Sequence, residues 1–570
     1  MRNFSKTSSL AWLGILFLFL LPAIWPIITP GYFPIHDDTQ VARVAQMTQA
    51  LLDGQFPVRW VKDLGYGFGY PIFNFYNPLP YYVGSLFHLV GFSALSATKI
   101  MFILPIFAGA LGMFLLMKKY VDRVSALIGS LMFTYAPYHA VQIYVRGAVA
   151  EYWAIAILPF VIYFFLAKKP LGAGISLALL ILAHNLTALM AVAIITILFI
   201  IQLATEKTRR KIFFTYLLAA TLSLGLAAFF WLPALLEKHF TNVDSMIREE
   251  FNAVDHFVSP WQLWSSPWGF GGSSPDEHDG LSFIVGKTQL LLTLIGLLFF
   301  AKLKTKPRQF PLYLSALAVL VFSLFMLLPL SKVVWEKMTI LDVLQFPWRF
   351  LSFINLTTAI LSGFAVATLT PVIKKHLPGN ITVSTLVLSS LILFVVFSSL
   401  RYFQPQFKFP TTDEELLGRT KVKFAVSKLS DEYMPESSKR PIFAVDLPDK
   451  RYAIDLAVDE RATVILDKTQ VLSLNTRLSQ PKPIIINIHA FPGWVSQIDN
   501  QAVSLETYGP YKLQKIDLPP GDHQLTVRLE NTLIRKISNI MSLVTLMALG
   551  LWGIHSRHKI TNLPLLQYFH

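Results

Sequence analysis

The feature that most limits what this chain can fold into is its repeated return to apolar runs of about 20 residues, the length that spans a bilayer as a helix. Such runs lie near 9–29, 97–117, 122–138, 152–168, 170–184, 186–204, 212–235, 286–301, 310–330, 347–372, 381–400 and 538–556. In lipid every backbone N–H and C=O must find a partner within its own segment, which a helix achieves and an open strand does not. Charged residues make up 15% of the 570 positions, against about 25% in soluble domains. The 14% aromatic content suits lipid-facing surface and interfacial belts. The expectation is a polytopic α-helical membrane protein of about twelve spans.

Basic residues set the orientation. Arg2 and Lys6 precede a first run that continues through Trp25 to Ile28 without a small-residue cleavage site, so it reads as an uncleaved span. With the N-terminus inside, Lys118-Lys119, Lys168-Lys169, Lys207 with Arg209-Arg210-Lys211, Lys302/Lys304/Lys306/Arg308, Lys374-Lys375 and Arg557/Lys559 all fall on the cytoplasmic side. The net charge of +15 belongs to these loops and does not indicate a nucleic-acid surface. The agreement holds only if 79–92 (LPYYVGSLFHLVGF) is an interfacial or re-entrant helix, since a full span there would invert every later loop. The reading is a multi-pass protein of the plasma or inner membrane with both termini cytoplasmic.

The long loops then lie outside: 30–96, 236–285, 331–346 and 401–537. Residues 1–400 form the membrane domain and 538–570 the last helix and tail. Between them, 401–537 shows strand signals at Lys482–His489, Ala462–Leu466 and His523–Leu529, separated by Pro492-Gly493 and Pro519-Pro520-Gly521-Asp522. Short strands between turns predict an extracytoplasmic β-sandwich. The chain has no cysteine, so this domain must be held by its core alone.

Candidate site residues cluster in the outer loops. His36-Asp37-Asp38 follows the first span; adjacent carboxylates at the interface are costly to keep. They suit a general base, a cation or a substrate hydroxyl, or one of them caps a helix from Thr39 to Leu52. Arg146-Gly147-Ala148-Val149-Ala150-Glu151 brings a guanidinium and a carboxylate to the same face, as a sugar or cation site or as an ion pair tying the loop. Arg349, in Gln345-Phe346-Pro347-Trp348-Arg349-Phe350, sits where a guanidinium can hold a lipid phosphate, with Trp348 as a belt residue; ordinary snorkelling explains it as well. His184-Asn185, between two apolar runs, faces a polar cavity or makes a turn. Trp261, Trp264 and Trp268 close over a substrate or anchor a loop at the interface. There is no phosphate loop, HExxH or GxSxG motif.

The order HDD, GYGFGYPIFNFYNPLPYY (65–82), RGAVAE, QFPWRF, Asp431-Glu432-Tyr433-Met434-Pro435, Phe491-Pro492-Gly493-Trp494 and Leu518-Pro519-Pro520-Gly521-Asp522-His523 resembles the membrane proteins called "6-pyruvoyl-tetrahydropterin synthase related". Its FPGW and PGxH elements also resemble YfhO-type proteins. The pterin name carries no function here, since no three-histidine zinc site can be placed. The architecture resembles the GT-C glycosyltransferases, which use a polyprenyl-phosphate-linked sugar and an acidic residue of the first outer loop. Carried over, Asp37 or Asp38 is the general base, with Glu151 a third catalytic acid. His36, Tyr70, Arg146, His184 and Arg349 bind substrate. A divalent cation at Asp37, Asp38 and Glu151 is left open, and HDD departs from the spaced DxD of metal-using members.

Two functions follow. One is an inverting glycosyltransferase with a lipid-linked sugar donor and a glycan, lipid or protein acceptor of the cell envelope. The other is a non-catalytic flippase-like or scaffold component of envelope glycan assembly.

Overall fold

The computed structural model describes residues 9–243, 252–275, 278–298, 308–376 and 381–557. Each of the twelve apolar runs is helical within that range. Among the described residues seven helices are long and apolar enough to span: Leu10–Ile28, Ala94–Lys118, Val149–Leu166, Asn185–Thr205, Phe310–Leu327, Pro347–Val372 and Leu533–Trp552. Arg209–Leu226 and Ala228–Leu236, bent by 73° at their junction, make an eighth if they act as one span. Arg123–Thr134, Pro170–Ala183, Lys287–Leu298 and Ser389–Leu400 are shorter apolar helices. The expected dozen therefore divides into seven or eight span-length helices and four short ones. The segment expected to be interfacial forms Leu79–Leu89, an 11-residue helix too short to span.

Pro347–Val372 lies at the centre of the bundle, with 94% of its most apolar window buried. Leu533–Trp552 lies at the margin, with 11% of its window buried. The bundle has two chemically distinct ends. Lys119 lies within electrostatic reach of Lys168, Lys169, Arg308 and Glu206 at one end, and Lys168 pairs with Glu206. The other end carries Asp37, Arg146 and Glu151. The expected basic positions Arg2, Lys6, Lys302, Lys304, Lys306 and Lys559, and the side chains of Lys374, Lys375 and Arg557, lie outside the described residues.

Nine strands follow: β1 (Tyr452–Ala453), β2 (Arg461–Lys468), β3 (Val471–Leu478), β4 (Lys482–His489), β5 (Trp494–Ile498), β6 (Gln501–Val503), β7 (Glu506–Tyr508), β8 (Leu513–Leu518) and β9 (Gly521–Leu529). They form two antiparallel sheets, β1-β4-β8-β7 and β2-β3-β9-β5-β6. Alternating inward residues build the core between them, among them Leu472, Leu474, Ile484, Ile486, Ile516, Leu525 and Val527.

Three features differ from the sequence expectation. Among the described residues strands occupy only 452–529; residues 401–451 form an arm of turns and short helices. The last helix begins at Leu533 rather than 538. The sandwich core is not closed by its own chain segment alone, because Trp60 and Phe75 of loop 30–96 enter it. The Trp60 ring meets Trp494 at 5.4 Å and Phe491 at 6.0 Å.

A buried polar knot fixes the bundle, loop and last helix together. Glu237 accepts from Arg535 Nε at 2.9 Å, Asn74 Nδ2 at 2.8 Å and Thr532 Oγ1 at 2.6 Å. Arg59 donates to Asn74 at 2.9 Å and to Asn539 at 2.7 Å. The arm also docks on the bundle: Asp413 accepts the first free N–H groups of Ala94–Lys118, from Ala94 at 2.6 Å and Leu95 at 3.0 Å.

Candidate active site

Residues 141–146 form a π-helical turn that ends at Gly147, whose φ of +67° is left-handed. The wider turn leaves carbonyls to be claimed by another segment. The loop after the first span claims them: His36 N–H donates to Val145 O at 3.0 Å and Asp37 N–H to Arg146 O at 2.9 Å. Gln40 Nε2 adds a bond to Gly147 O at 2.9 Å. A Cβ on Gly147 would lie 2.5 Å from Ile35 Cδ1, so glycine is needed for both its dihedral angle and its close approach. These contacts place the acidic loop and the 141–151 segment on one face of the bundle.

They border a cavity of about 770 Å³, a size suited to a small organic ligand. His36, Asp37, Arg146, Glu151, His184 and Arg349 all line it. Glu151, in the first turn of Val149–Leu166, is 2% exposed. Its Oε1 accepts from Tyr138 Oη at 2.8 Å and Gln142 Nε2 at 2.7 Å, and its Oε2 from Arg146 Nη1 at 2.8 Å. With both oxygens taken, this carboxylate orients Arg146. Burial alone would pull Arg146 down, but Glu151, Tyr138 and Asp37 hold its guanidinium above the usual arginine value. That guanidinium lies 4.6 Å from the Trp348 ring centre, and Phe346 stacks on Trp348 at 4.7 Å. Trp348 is buried, which corrects its expected place as a belt residue.

Arg349 is 6% exposed. Its Nη2 donates to Gln345 Oε1 at 2.9 Å. Nε and Nη1 have no hydrogen-bond partner among the described residues. A buried guanidinium with two unsatisfied N–H groups beside a cavity is suited to receive an anion.

His184 caps the helix Asn185–Thr205: its Nδ1 accepts the Thr187 N–H at 3.3 Å. That bond assigns the proton of the neutral ring to Nε2. His184 thus both lines the cavity and caps a helix at the turn between two apolar runs. His36 Nε2 reaches Phe270 O at 2.9 Å, tying the acidic loop to the tryptophan loop. Gly272 and Ser273 of that loop line the cavity, while Trp261 and Trp264 are exposed away from it and Trp268 packs on Tyr402 at 4.8 Å.

Asp37 and Asp38 separate. The Asp37 carboxylate makes no side-chain hydrogen bond or ion pair with another described residue and lines the cavity. Asp38 lies outside the cavity wall and pairs with Lys421 of the arm at 2.6 Å. Neither caps the following helix: Thr39 holds the N-cap position of Gln40–Leu52, with no side-chain cap bond. Tyr70 is also outside the cavity. It is fully buried, and its hydroxyl accepts the Tyr433 N–H at 2.9 Å, supporting a residue that does line the wall.

The donor set does not fit the cation considered for Asp37, Asp38 and Glu151. Asp38 is turned to Lys421 and Glu151 is saturated by three donors. Among the described residues no three His, Asp or Glu side chains are placed to share a metal ion.

Sequence reasoning gave one wall no part in the site. Lys428, Leu429, Asp431, Glu432, Tyr433 and Arg440 of the arm complete the cavity. Asp431 is neutralised by Arg440 at 2.7 Å. Burial pushes the Glu432 carboxyl above the usual glutamate value.

The fold and cavity define a polytopic membrane protein in which the bundle, its loops and the 401–451 arm enclose a polar cleft at one end. The chain belongs to the 6-pyruvoyl-tetrahydropterin synthase related membrane protein family, whose model matches residues 73–406. An uncharacterized protein of Lactococcus lactis subsp. cremoris (strain MG1363) is 26% identical over 287 residues. That match covers 46% of each chain, so this chain spans less than half the length of that relative. Among solved structures, the mycobacterial arabinofuranosyltransferase AftD is similar at 16% identity and a TM-score of 0.45, over 71% of this chain and 28% of that one. The Archaeoglobus fulgidus oligosaccharyltransferase is similar at 15% identity and a TM-score of 0.43, over 70% and 54%. Similarities of this size define no shared fold.

Proposed function

We propose that this protein is an inverting glycosyltransferase that moves a sugar from a polyprenyl-phosphate donor to an envelope acceptor, on the outer face of the plasma or inner membrane. The observation that carries the reading is that one cavity holds an unpartnered carboxylate, Asp37, and a buried guanidinium with two unpaired N–H groups, Arg349.

In this reading Asp37 takes the proton of an acceptor hydroxyl. The acceptor oxygen attacks the anomeric carbon as the bond from that carbon to the phosphate oxygen breaks, and configuration inverts. The electron pair leaves with the lipid phosphate, whose developing charge is met by Arg349 and by Arg146 held on Glu151. The His184 Nε2–H is a further donor for donor-sugar or phosphate oxygen. The grouping of Lys119, Lys168, Lys169 and Arg308 at the opposite end supports a cytoplasmic location for that end.

The test is transfer of radiolabelled sugar from polyprenyl-phosphate hexoses to membrane-extract acceptors by protein in nanodiscs. D37N is expected to abolish labelling while still inserting and binding decaprenyl phosphate. Equal labelling by D37N and wild type would refute a catalytic Asp37 and favour the non-catalytic reading.

A further inference from the structure

The arm of residues 401–451 contributes a carboxyl to the cavity that the transfer chemistry above does not use. Glu432 lines the cavity and makes no ion pair with another described residue. Its side-chain partner is the Ser430 hydroxyl at 3.3 Å. Its neighbour Asp431 is committed elsewhere, to Arg440 at 2.7 Å and to the Tyr66 hydroxyl at 3.3 Å. Arg43 lies behind the wall, with its guanidinium 4.2 Å from the Tyr76 ring centre and donating to Ser430 at 2.7 Å.

The cavity divides electrostatically. The charges that bear most on Glu432 are Arg43 and Asp431. Those that bear most on Arg349 are Glu151 and Arg146. Tyr76 stands between the sets, within reach of Asp37, Arg43 and Glu432. The wall around Glu432 is aromatic: Phe75 stacks on Tyr433 at 5.4 Å with the rings 16° apart, and both line the cavity with Tyr76. The position of the wall is over-determined. Tyr70 holds the Tyr433 N–H, Ser427 Oγ accepts the Tyr66 N–H at 3.1 Å, and Lys421 holds Asp38.

A carboxyl beside aromatic faces, apart from the anion-receiving guanidinium, has the chemistry of a carbohydrate site: oxygen atoms for sugar hydroxyls and flat apolar surface for the ring. We propose that Glu432 is the acceptor-binding carboxyl of the cavity, holding the hydroxyls of a carbohydrate acceptor against Tyr76 and Tyr433. The proposal rests on the transferase reading of the same cavity. It names the acceptor class as a glycan and gives the C-terminal arm a direct part in substrate binding.

The test uses full-length protein in nanodiscs. Saturation-transfer NMR with cellobiose, maltose and chitobiose at millimolar concentration reads carbohydrate contact. Native mass spectrometry with decaprenyl phosphate reads the phosphate end in the same preparations and reports that the variants are folded. Wild type is expected to show saturation transfer to at least one disaccharide. E432Q and E432A are expected to weaken it about fivefold or more, the loss of one charge-assisted hydrogen bond, while retaining decaprenyl phosphate. Equal transfer in all three proteins, or none in wild type, overturns the assignment. R349A is expected to lose decaprenyl phosphate and keep the disaccharide signal. If wild type itself binds no decaprenyl phosphate, the donor reading fails while the disaccharide result still decides on Glu432.

Discussion

Replacing Glu151 with glutamine tests whether this carboxylate exists to hold Arg146. In the native site three donors converge on its two oxygens, from Tyr138, Gln142 and Arg146 at 2.7–2.8 Å. A glutamine presents one oxygen and one NH2, so at least one donor must face another donor. Arg146 and Arg349, both largely buried, lose their shared counter-charge. Leaving a buried charge uncompensated costs about 3–5 kcal/mol. At about 2 °C per kcal/mol, E151Q lowers the melting temperature by roughly 6–10 °C, measured by scanning fluorimetry in nanodiscs. Two further results follow from the same reasoning. Decaprenyl phosphate stabilises E151Q more than wild type, because the phosphate replaces the missing counter-charge. The double variant R146Q/E151Q is less destabilised than the sum of its parts by about 2 kcal/mol or more, since removing both members of a buried pair leaves no orphan. An E151Q protein as stable as wild type, with additive single changes, would refute the holding role.

D37N is expected to lower transfer by about 10²–10⁴-fold, the usual worth of a general base, whereas D38N loses a half-exposed pair with Lys421 and costs no more than about 1 kcal/mol of stability with transfer retained. Parallel rate and melting measurements separate the two. G147A forces a side chain into a left-handed position against Ile35 and is expected to cost about 1–3 kcal/mol, read as a lower melting temperature and weaker transfer together. Glu432 carries a pH signature: its carboxyl is raised in the folded protein, so its contribution is fully present below the unfolded glutamate value and is lost as pH rises through the folded one. Relative to wild type, E432Q should therefore gain stability as pH rises from about 4 upward; a pH-independent difference between the two melting curves would contradict this.

Much of the architecture was legible because lipid and sheets impose strict periodic demands. Lys482–His489 was bounded as a strand by its β-branched run and flanking turns, and β4 has the same limits. Length and loop charge predict that 79–92 does not span, and Leu79–Leu89 is an 11-residue helix. What was not legible depends on long-range closure. Nothing local marks Trp60 as a core residue, yet it fills the sandwich core some 430 residues away in sequence at Trp494. Asp37 and Asp38 are indistinguishable in sequence; only Lys421, brought in by the arm, makes them different. Glu432 stood in a quoted motif, but nothing local says that Asp431 is neutralised and its neighbour is not. The resemblance groups Tyr70 with substrate contacts, and the structure uses it to support Tyr433 from behind.

The most direct measurement is a cryo-electron microscopy structure of the protein in nanodiscs with decaprenyl phosphate. The account requires the phosphate to lie within hydrogen-bond distance of Arg349 Nε or Nη1, in the same cavity as a carboxylate of Asp37 that remains unpaired. Lipid phosphate bound elsewhere, with the Arg349 N–H groups satisfied by protein, would contradict it.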